Sequence, residues 1–248
     1  MKNSYLLILG FFAGFGSAFL GIGGGVVMVP SLVLLLDYDI KKAVGTSLTT
    51  IVPAALVGVS THYILNSDNI LFISALFIIL GSVAGAKIGA AIADRIRGDL
   101  IRVLFAALLL FVGLKQVGLI RIPTESVLSI NSYPFFVILG LIAGISSALF
   151  GIGGGAIMVP SLDLFFGFQM HQAIATSLTV IVPTSAAGAI FHAKLNNIDR
   201  RAVRFLIPAS LLGAILGAIL SNMLTPVTLR YIFGFFVIFF SVKMFLKN

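Results

Sequence analysis

Runs of uncharged, mostly apolar residues follow one another along almost the whole chain, and several approach or exceed the length that crosses a bilayer. Residues 135–150 form one, and residues 103–114 with their flanks form another. Hydrocarbon offers no water to backbone N–H and C=O groups, so only helices and closed barrels can span it. A barrel would show two-residue alternation in units of roughly ten residues, and these runs do not. Charged residues make up 10% of the chain, against about 25% in a soluble domain. The sequence therefore predicts an all-α polytopic membrane protein.

The N-terminal stretch, one lysine ahead of a long apolar run, has the look of a secretion signal. It lacks a small-x-small cleavage site followed by soluble sequence, so it reads as a membrane segment. Cysteine is absent, which excludes disulfides, thiol chemistry and thiolate metal sites. A net charge of +8 would suggest nucleic acid in a soluble protein. Here basic loops that orient the chain in the bilayer account for it, and no nucleic-acid partner is expected.

The chain is internally duplicated. Residues 14–32 (GFGSAFLGIGGGVVMVPSL) lie over residues 144–162 (GISSALFGIGGGAIMVPSL), with 13 of 19 positions identical. Further on, AVGTSLTTIVP at 43–53 matches AIATSLTVIVP at 173–183. His62 aligns with His192 and Asn66 with Asn196; after a two-residue gap, Gly85, Gly89 and Arg102 align with Gly213, Gly217 and Arg230. A unit of about 125 residues is too long for a solenoid repeat and suits a duplicated transporter half.

Each half holds five apolar segments: 4–20, 26–36, 43–65, 70–93 and 100–118, then 133–150, 156–168, 173–195, 203–223 and 228–245. The second of each set is too short for a core about 30 Å thick at 1.5 Å per residue. Segments one and two therefore read as a helical hairpin broken at GIGGG, followed by three transmembrane helices.

Equivalent loops carry opposite charge bias, which tests the orientation of the halves. Arg95, Arg97 and Arg102 follow segment four of the first half, where the second half has only Arg230. After segment three the first half has NSDN, and the second has Lys194, Arg200, Arg201 and Arg204. Lys41 and Lys42 follow the first hairpin, whereas no lysine or arginine lies between Arg121 and Lys194. With basic loops inside, the halves are inverted-topology repeats, and both termini (Lys2; Lys243, Lys247) are cytoplasmic. Arg121 and Lys115 dissent mildly.

In such a pair the two hairpins enter from opposite faces and their tips can meet. Gly23, Gly24 and Gly25, with Gly153, Gly154 and Gly155, let backbone N–H groups approach a ligand without a Cβ in the way. The following helix starts supply free donors and partial positive charge, so two of them aimed at one spot make an anion site. The competing reading is a packing device between helices. The repeated TSLT–VP stretch adds hydroxyls on Thr46, Ser47, Thr49, Thr176, Ser177 and Thr179. They can hold an oxyanion or bond back to their own helix; Thr46 and Thr49 are slightly favoured. Pro53 and Pro183 free a carbonyl each, and Pro30 and Pro160 are expected to kink or end the short second helices.

Gly81-x3-Gly85-x3-Gly89 and Gly213-x3-Gly217 are small-residue faces for tight helix packing, within the protein or at a homodimer contact. His62 and His192 are placed at an interface rather than in a proton relay. Lys87 can snorkel to the inner face, and Asp163 stands where the first half has Val33. No H-E-x-x-H and no nucleophile–base pair at helical spacing occurs, so neither an enzyme, a metal nor a cofactor is expected.

The G-x-G-G-G and V-P-x-L stretches, with T-S-L-x-x-I-V-P, resemble the sulfite exporter TauE/SafE family over about residues 5–245. The resemblance implies an inner-membrane transporter of small anions, chiefly sulfur compounds such as sulfite, thiosulfate and sulfoacetate, or other organosulfur or carboxylate anions. The expected organisation is a first repeat at 1–118, a linker at 119–132 and a second repeat at 133–248. The expected function is a secondary transporter of a small sulfur oxyanion or organosulfonate across the plasma membrane by alternating access. The alternative is a passive anion channel or a carrier of small carboxylates.

Overall fold

A computed structural model describes residues 2–119 and 133–246. The expected linker lies outside the described residues except for Leu119, as do Arg121 and Lys247. The first half comprises α1 (Lys2–Leu20), α2 (Gly25–Leu36), α3 (Ile40–Leu65), a short 3₁₀ turn (Ser67–Asn69), α4 (Phe72–Arg95) and α5 (Gly98–Gln116). The second comprises α6 (Tyr133–Phe150), α7 (Gly155–Phe165), α8 (Met170–Lys194), α9 (Arg200–Met223) and α10 (Pro226–Leu246). The ten apolar segments thus appear as ten helices. Seven of them, α1, α3, α4, α6, α8, α9 and α10, are long and apolar enough to cross a bilayer. Helices α2 and α7 have 12 and 11 residues, about 18 Å and 17 Å of rise.

The break between α1 and α2 is enforced by backbone geometry. Gly21, Gly23 and Gly24 have φ of 69°, 73° or 80°, and Gly151, Gly153 and Gly154 repeat this with values from 71° to 86°. Side chains with a Cβ are strained in that region. Gly24 and Gly154 then cap α2 and α7 in left-handed conformation.

All four singled-out prolines lie inside continuous helices, so Pro30 and Pro160 do not end α2 and α7. Helix α2 runs on from Pro30 to Leu36, and α7 from Pro160 to Phe165. Pro53 and Pro183 sit within α3 and α8. One missing N–H is tolerated because close packing on both sides holds the helix: Val29, Pro30 and Leu32 are all buried.

Helices of one half pack on helices of the other, in pairs that interchange when the halves are exchanged. Helix α1 lies along α9 and α6 along α4; α3 lies against α8 and α5 against α10. The small-residue faces make the first two pairs possible, within the chain. Gly81, Gly85 and Gly89 meet the α6 backbone at Val137, Leu141 and Ile145, and Gly213 and Gly217 meet α1 at Phe11 and Phe15.

Polar contacts sort the loops into two ends. The Tyr38 hydroxyl donates to Asp199 at 2.8 Å and joins the α2–α3 loop to the α8–α9 loop. At the other end of α3, Asn69 donates to Asn222 at 3.2 Å, and the Leu71 amide donates to Thr176 near the start of α8 at 3.2 Å. Helices α3 and α8 therefore lie in opposite senses. The first turn of α3, with Lys41 and Lys42, shares an end with the first turn of α9, with Arg200 and Arg201.

Candidate functional site

The two glycine turns meet in the buried centre. A Cβ on Gly25 would strike the carbonyl oxygen of Gly151, and one on Gly155 that of Gly21; one on Gly23 would stand 2.6 Å from the carbonyl oxygen of Ile152. Ile22 and Ile152 are fully buried. Helix α2 makes its first internal bonds from Val27 and Met28 to the Gly24 carbonyl, at 3.1 and 3.0 Å, and α7 from Ile157 and Met158 to that of Gly154, both at 3.1 Å. The amides of Gly25 and Val26, and of Gly155 and Ala156, precede those first donors, as at any helix start.

The six hydroxyls of the TSLT stretches divide by direction. Ser47 donates to the Gly151 carbonyl at 2.8 Å, and Ser177 to the Gly21 carbonyl at 2.9 Å, so these two stand at the turns. Thr46 and Thr176 face elsewhere and accept from the amides of Asp199 (2.9 Å) and Leu71 (3.2 Å), which cap α9 and α4. Thr49 and Thr179 bond back to Gly45 and Ala175, at 2.8 and 2.9 Å. Adjacent helical residues point about 100° apart, so position 47 faces the turn and position 46 does not. The hydroxyl of Thr50 goes to Thr46, leaving the carbonyl freed at Pro53 to other arrangements.

Three further hydroxyls near the turns have no hydrogen-bond partner although their residues are fully buried: Ser17, Ser147 and Ser185. A Cβ on Gly24 would lie 3.3 Å from the Cβ of Ser17, and one on Gly153 would lie 3.2 Å from the Ser185 hydroxyl. Ser17 and Ser147 hold the same place in the aligned GFGSAFLGIGGG and GISSALFGIGGG stretches. That identity is their signal in the sequence. Ser185 has an alanine, Ala55, at the equivalent position and gave no signal.

The histidines support the same region. His62 and His192 are buried, and Nε2 of each bonds the carbonyl of the residue after the unpartnered serine, Ala18 or Ala148, at 2.9 Å. Asn222 donates to Nδ1 of His62 at 2.8 Å, so that ring carries its proton on Nε2. Both are anchors of α1 and α6. Lys87 is exposed on α4. Asp163 is buried and ion-paired to Arg230, with Gln116 donating to it at 3.4 Å.

The two turns thus meet through closely approaching backbone, with the carbonyl oxygens of Gly21, Gly151 and Ile152 at the contact, the Ser47 and Ser177 hydroxyls bonded to two of them, and the buried hydroxyls of Ser17, Ser147 and Ser185 beside them. Among the described residues no group of three or more His, Asp or Glu is arranged to hold a metal ion.

Ten mostly apolar helices in two interlocked halves define a polytopic helical membrane protein. The chain matches the sulfite exporter TauE/SafE family over residues 1–116 and 136–248, and it belongs to that family of membrane transporters. It is 28% identical to "Probable membrane transporter protein YunE" of Bacillus subtilis, covering 86% of each chain. It is 30% identical to "Probable membrane transporter protein MJ0441" of Methanocaldococcus jannaschii, over 77% of this chain and 72% of that one. A "Probable membrane transporter protein" of Haemophilus influenzae is 32% identical over 69% of this chain and 66% of its own length. No solved structure matches the chain.

Proposed function

We propose that the protein is a secondary transporter that moves a small sulfur oxyanion or organosulfonate, such as sulfite, thiosulfate or a sulfoacetate-like anion, across the plasma membrane. One observation carries this reading: two helix starts meet at glycine turns beside the buried, unpartnered hydroxyls of Ser17 and Ser147. Amides of Gly23–25 and Gly153–155 would cradle the anion, and the serines would complete its hydrogen bonds. Burial of the turns favours a carrier over a continuously open pore, because a carrier occludes its ligand between openings. The opposite senses of α3 and α8, with Lys41, Lys42, Arg200 and Arg201 at one end, support inverted repeats with both termini cytoplasmic. One repeat rocking against the other would give alternating access.

Uptake of sulfite, thiosulfate and sulfoacetate into proteoliposomes tests it. Saturable flux with counterflow is expected, lost on Ser17→Ala with Ser147→Ala. Ohmic single-channel current would replace the carrier with a passive pore, and flux of small carboxylates alone would replace the sulfur anions. Wild-type uptake by Gly24→Val paired with Gly154→Val would sink the glycine cradle.

A further inference from the structure

Helix α2 packs on α1 and on α10, while α1 and α10 scarcely approach each other among the described residues. The gap between them is a groove of about 850 Å³ with Val27 and Ser31 of α2 as its floor. Ile8 and Phe12 on one wall, and Phe235 and Phe239 on the other, are each more than half exposed. Ser31, Leu35, Phe239 and Phe240 also line a second cavity of about 680 Å³, so the two spaces are continuous. A large exposed apolar surface marks a binding face, and in a membrane-spanning bundle this one opens toward hydrocarbon.

Its length fits one leaflet. The groove follows α1 from Tyr5 to Leu20 and α2 from Leu35 back to Val27, about 22 Å and 12 Å of helical rise. A bilayer core about 30 Å thick gives each leaflet about 15 Å. The inner end lies beside the first turn of α2, where a Cβ on Gly16 would stand 3.6 Å from both Val27 and Phe236.

Its outer end is charged. Lys243 lines the second cavity with Leu34 and Leu35, and its ammonium lies over the Phe239 ring, 5.5 Å from the centroid. Leu34 and Leu35 stand just ahead of the α2–α3 loop, so this is the end that carries Lys41, Lys42, Arg200 and Arg201. The other half does not repeat the space. Lys115, Ser161 and Phe165 align with Lys243, Ser31 and Leu35, but the groove there holds about 220 Å³.

We propose that the groove between α1, α2 and α10 is a specific site for an anionic phospholipid of the adjoining leaflet. One acyl chain lies along α1 with its end near Gly16 and Val27, and the headgroup phosphate meets Lys243. Apolar walls of leaflet length suit the chain, and a lysine at the outer end suits the phosphate. The site rests on the membrane-spanning class of the fold and not on which ion is transported.

Native mass spectrometry of the full chain, purified in mild detergent, tests it with phosphatidylglycerol and phosphatidylcholine of the same chains. Wild type should retain one phosphatidylglycerol after extensive washing and hold phosphatidylcholine more weakly. Lys243→Gln should lower that preference roughly fivefold, whereas Lys115→Gln should keep it. Ser31→Phe, which fills the junction of the two cavities, should lose the retained lipid, and Ser31→Ala should keep it. Equal retention of both lipids by wild type overturns the headgroup contact, and full retention by Ser31→Phe overturns the site. A second measurement needs no variant. Phosphatidylglycerol with a photoactivatable group at the end of one chain should label residues 16–20 of α1 and the first turn of α2. Label spread evenly over α4, α6 and α9 would mean bulk lipid only, and a dimer with this groove unlabelled would give it to a second copy; either result overturns the proposal. Ser17→Ala with Ser147→Ala should abolish uptake and leave lipid retention unchanged, so either reading can fail alone.

Discussion

Ser177 on α8 donates its hydroxyl proton to the backbone carbonyl of Gly21, 2.9 Å away and 156 residues distant in sequence. Ser47 on α3 does the same for Gly151 at 2.8 Å. Each glycine turn is therefore held by the half that did not supply it. Neither half completes its own turn, which makes the break in α1–α2 a property of the assembled pair.

Removing either serine hydroxyl leaves a buried carbonyl unpaired. Ser177→Ala and Ser47→Ala should each lower stability by about 1–3 kcal/mol, read as reduced melting temperature in detergent. The double variant should depart from additivity, because the two turns pack on each other and residues in contact couple. A full wild-type melting temperature in both single variants would remove the cross-half bond as a contributor.

Glycine substitution should discriminate sharply by position. A Cβ at Gly25 or Gly155 would strike a carbonyl of the opposite turn, whereas at Gly16 its closest neighbours stand at 3.6 Å. Gly25→Ala and Gly155→Ala should abolish or strongly reduce the yield of monodisperse protein. Gly16→Ala should fold as wild type and can gain a little, since alanine favours helix over glycine by about 1 kcal/mol. Size-exclusion profiles of the three variants check this.

Much of this architecture was legible in the sequence, because its strongest signals are chemical and periodic. Apolar runs gave ten helices, and the aligned GIGGG stretches gave two equivalent breaks. What was not legible was direction. Thr46, Ser47 and Thr49 all carry hydroxyls, and only the rotation of α3 against the other half shows that Ser47 reaches the turn and Thr49 bonds back to Gly45. The extent of α2 was not legible for a related reason: propensity allows the helix to end at Pro30, but burial of Val29, Pro30 and Leu32 keeps it going to Leu36. Ser17 and Ser147 are ordinary residues in the sequence; what sets them apart is the lack of a partner, which depends on how α1 and α6 pack.

The Tyr38–Asp199 bond predicts a pH response at one end of the bundle. Burial, then the hydrogen bond to Asp199, push the Tyr38 phenol from its ordinary 10.0 up to about 12. A folded-state value above the unfolded one favours folding while the phenol keeps its proton, so this contribution is intact below about pH 10 and lost as pH rises to about 12. Burial alone would raise Asp199, but hydrogen bonds from Tyr38 and the amides of Ala202 and Arg201 outweigh it and hold the carboxyl below its usual range. Its contribution is therefore present at neutral pH and lost as pH falls through the acid range. Phenolate absorbance during alkaline titration should lose a late-titrating component in Tyr38→Phe. In Tyr38→Phe the acid limb should move to higher pH.

The Asp163–Arg230 pair has no counterpart in the first half, where Val33 occupies the position of Asp163. The Asp163 side chain is 3% exposed and that of Arg230 is 42% exposed. Removing the arginine strands a buried carboxylate, and removing the carboxylate strands a partly hydrated cation, so the two deletions should differ. Breaking a buried pair costs about 3–5 kcal/mol; Arg230→Leu should fall in that range and Asp163→Val below it. Replacing both, Asp163→Val with Arg230→Leu, gives α7 the apolar solution that α2 already uses and should recover most of the loss. Melting temperatures of the three variants form the cycle, and uptake by the double variant adds a functional reading. Recovered stability with wild-type uptake would make the pair purely architectural. Recovered stability with lost uptake would make its charge part of the transport cycle.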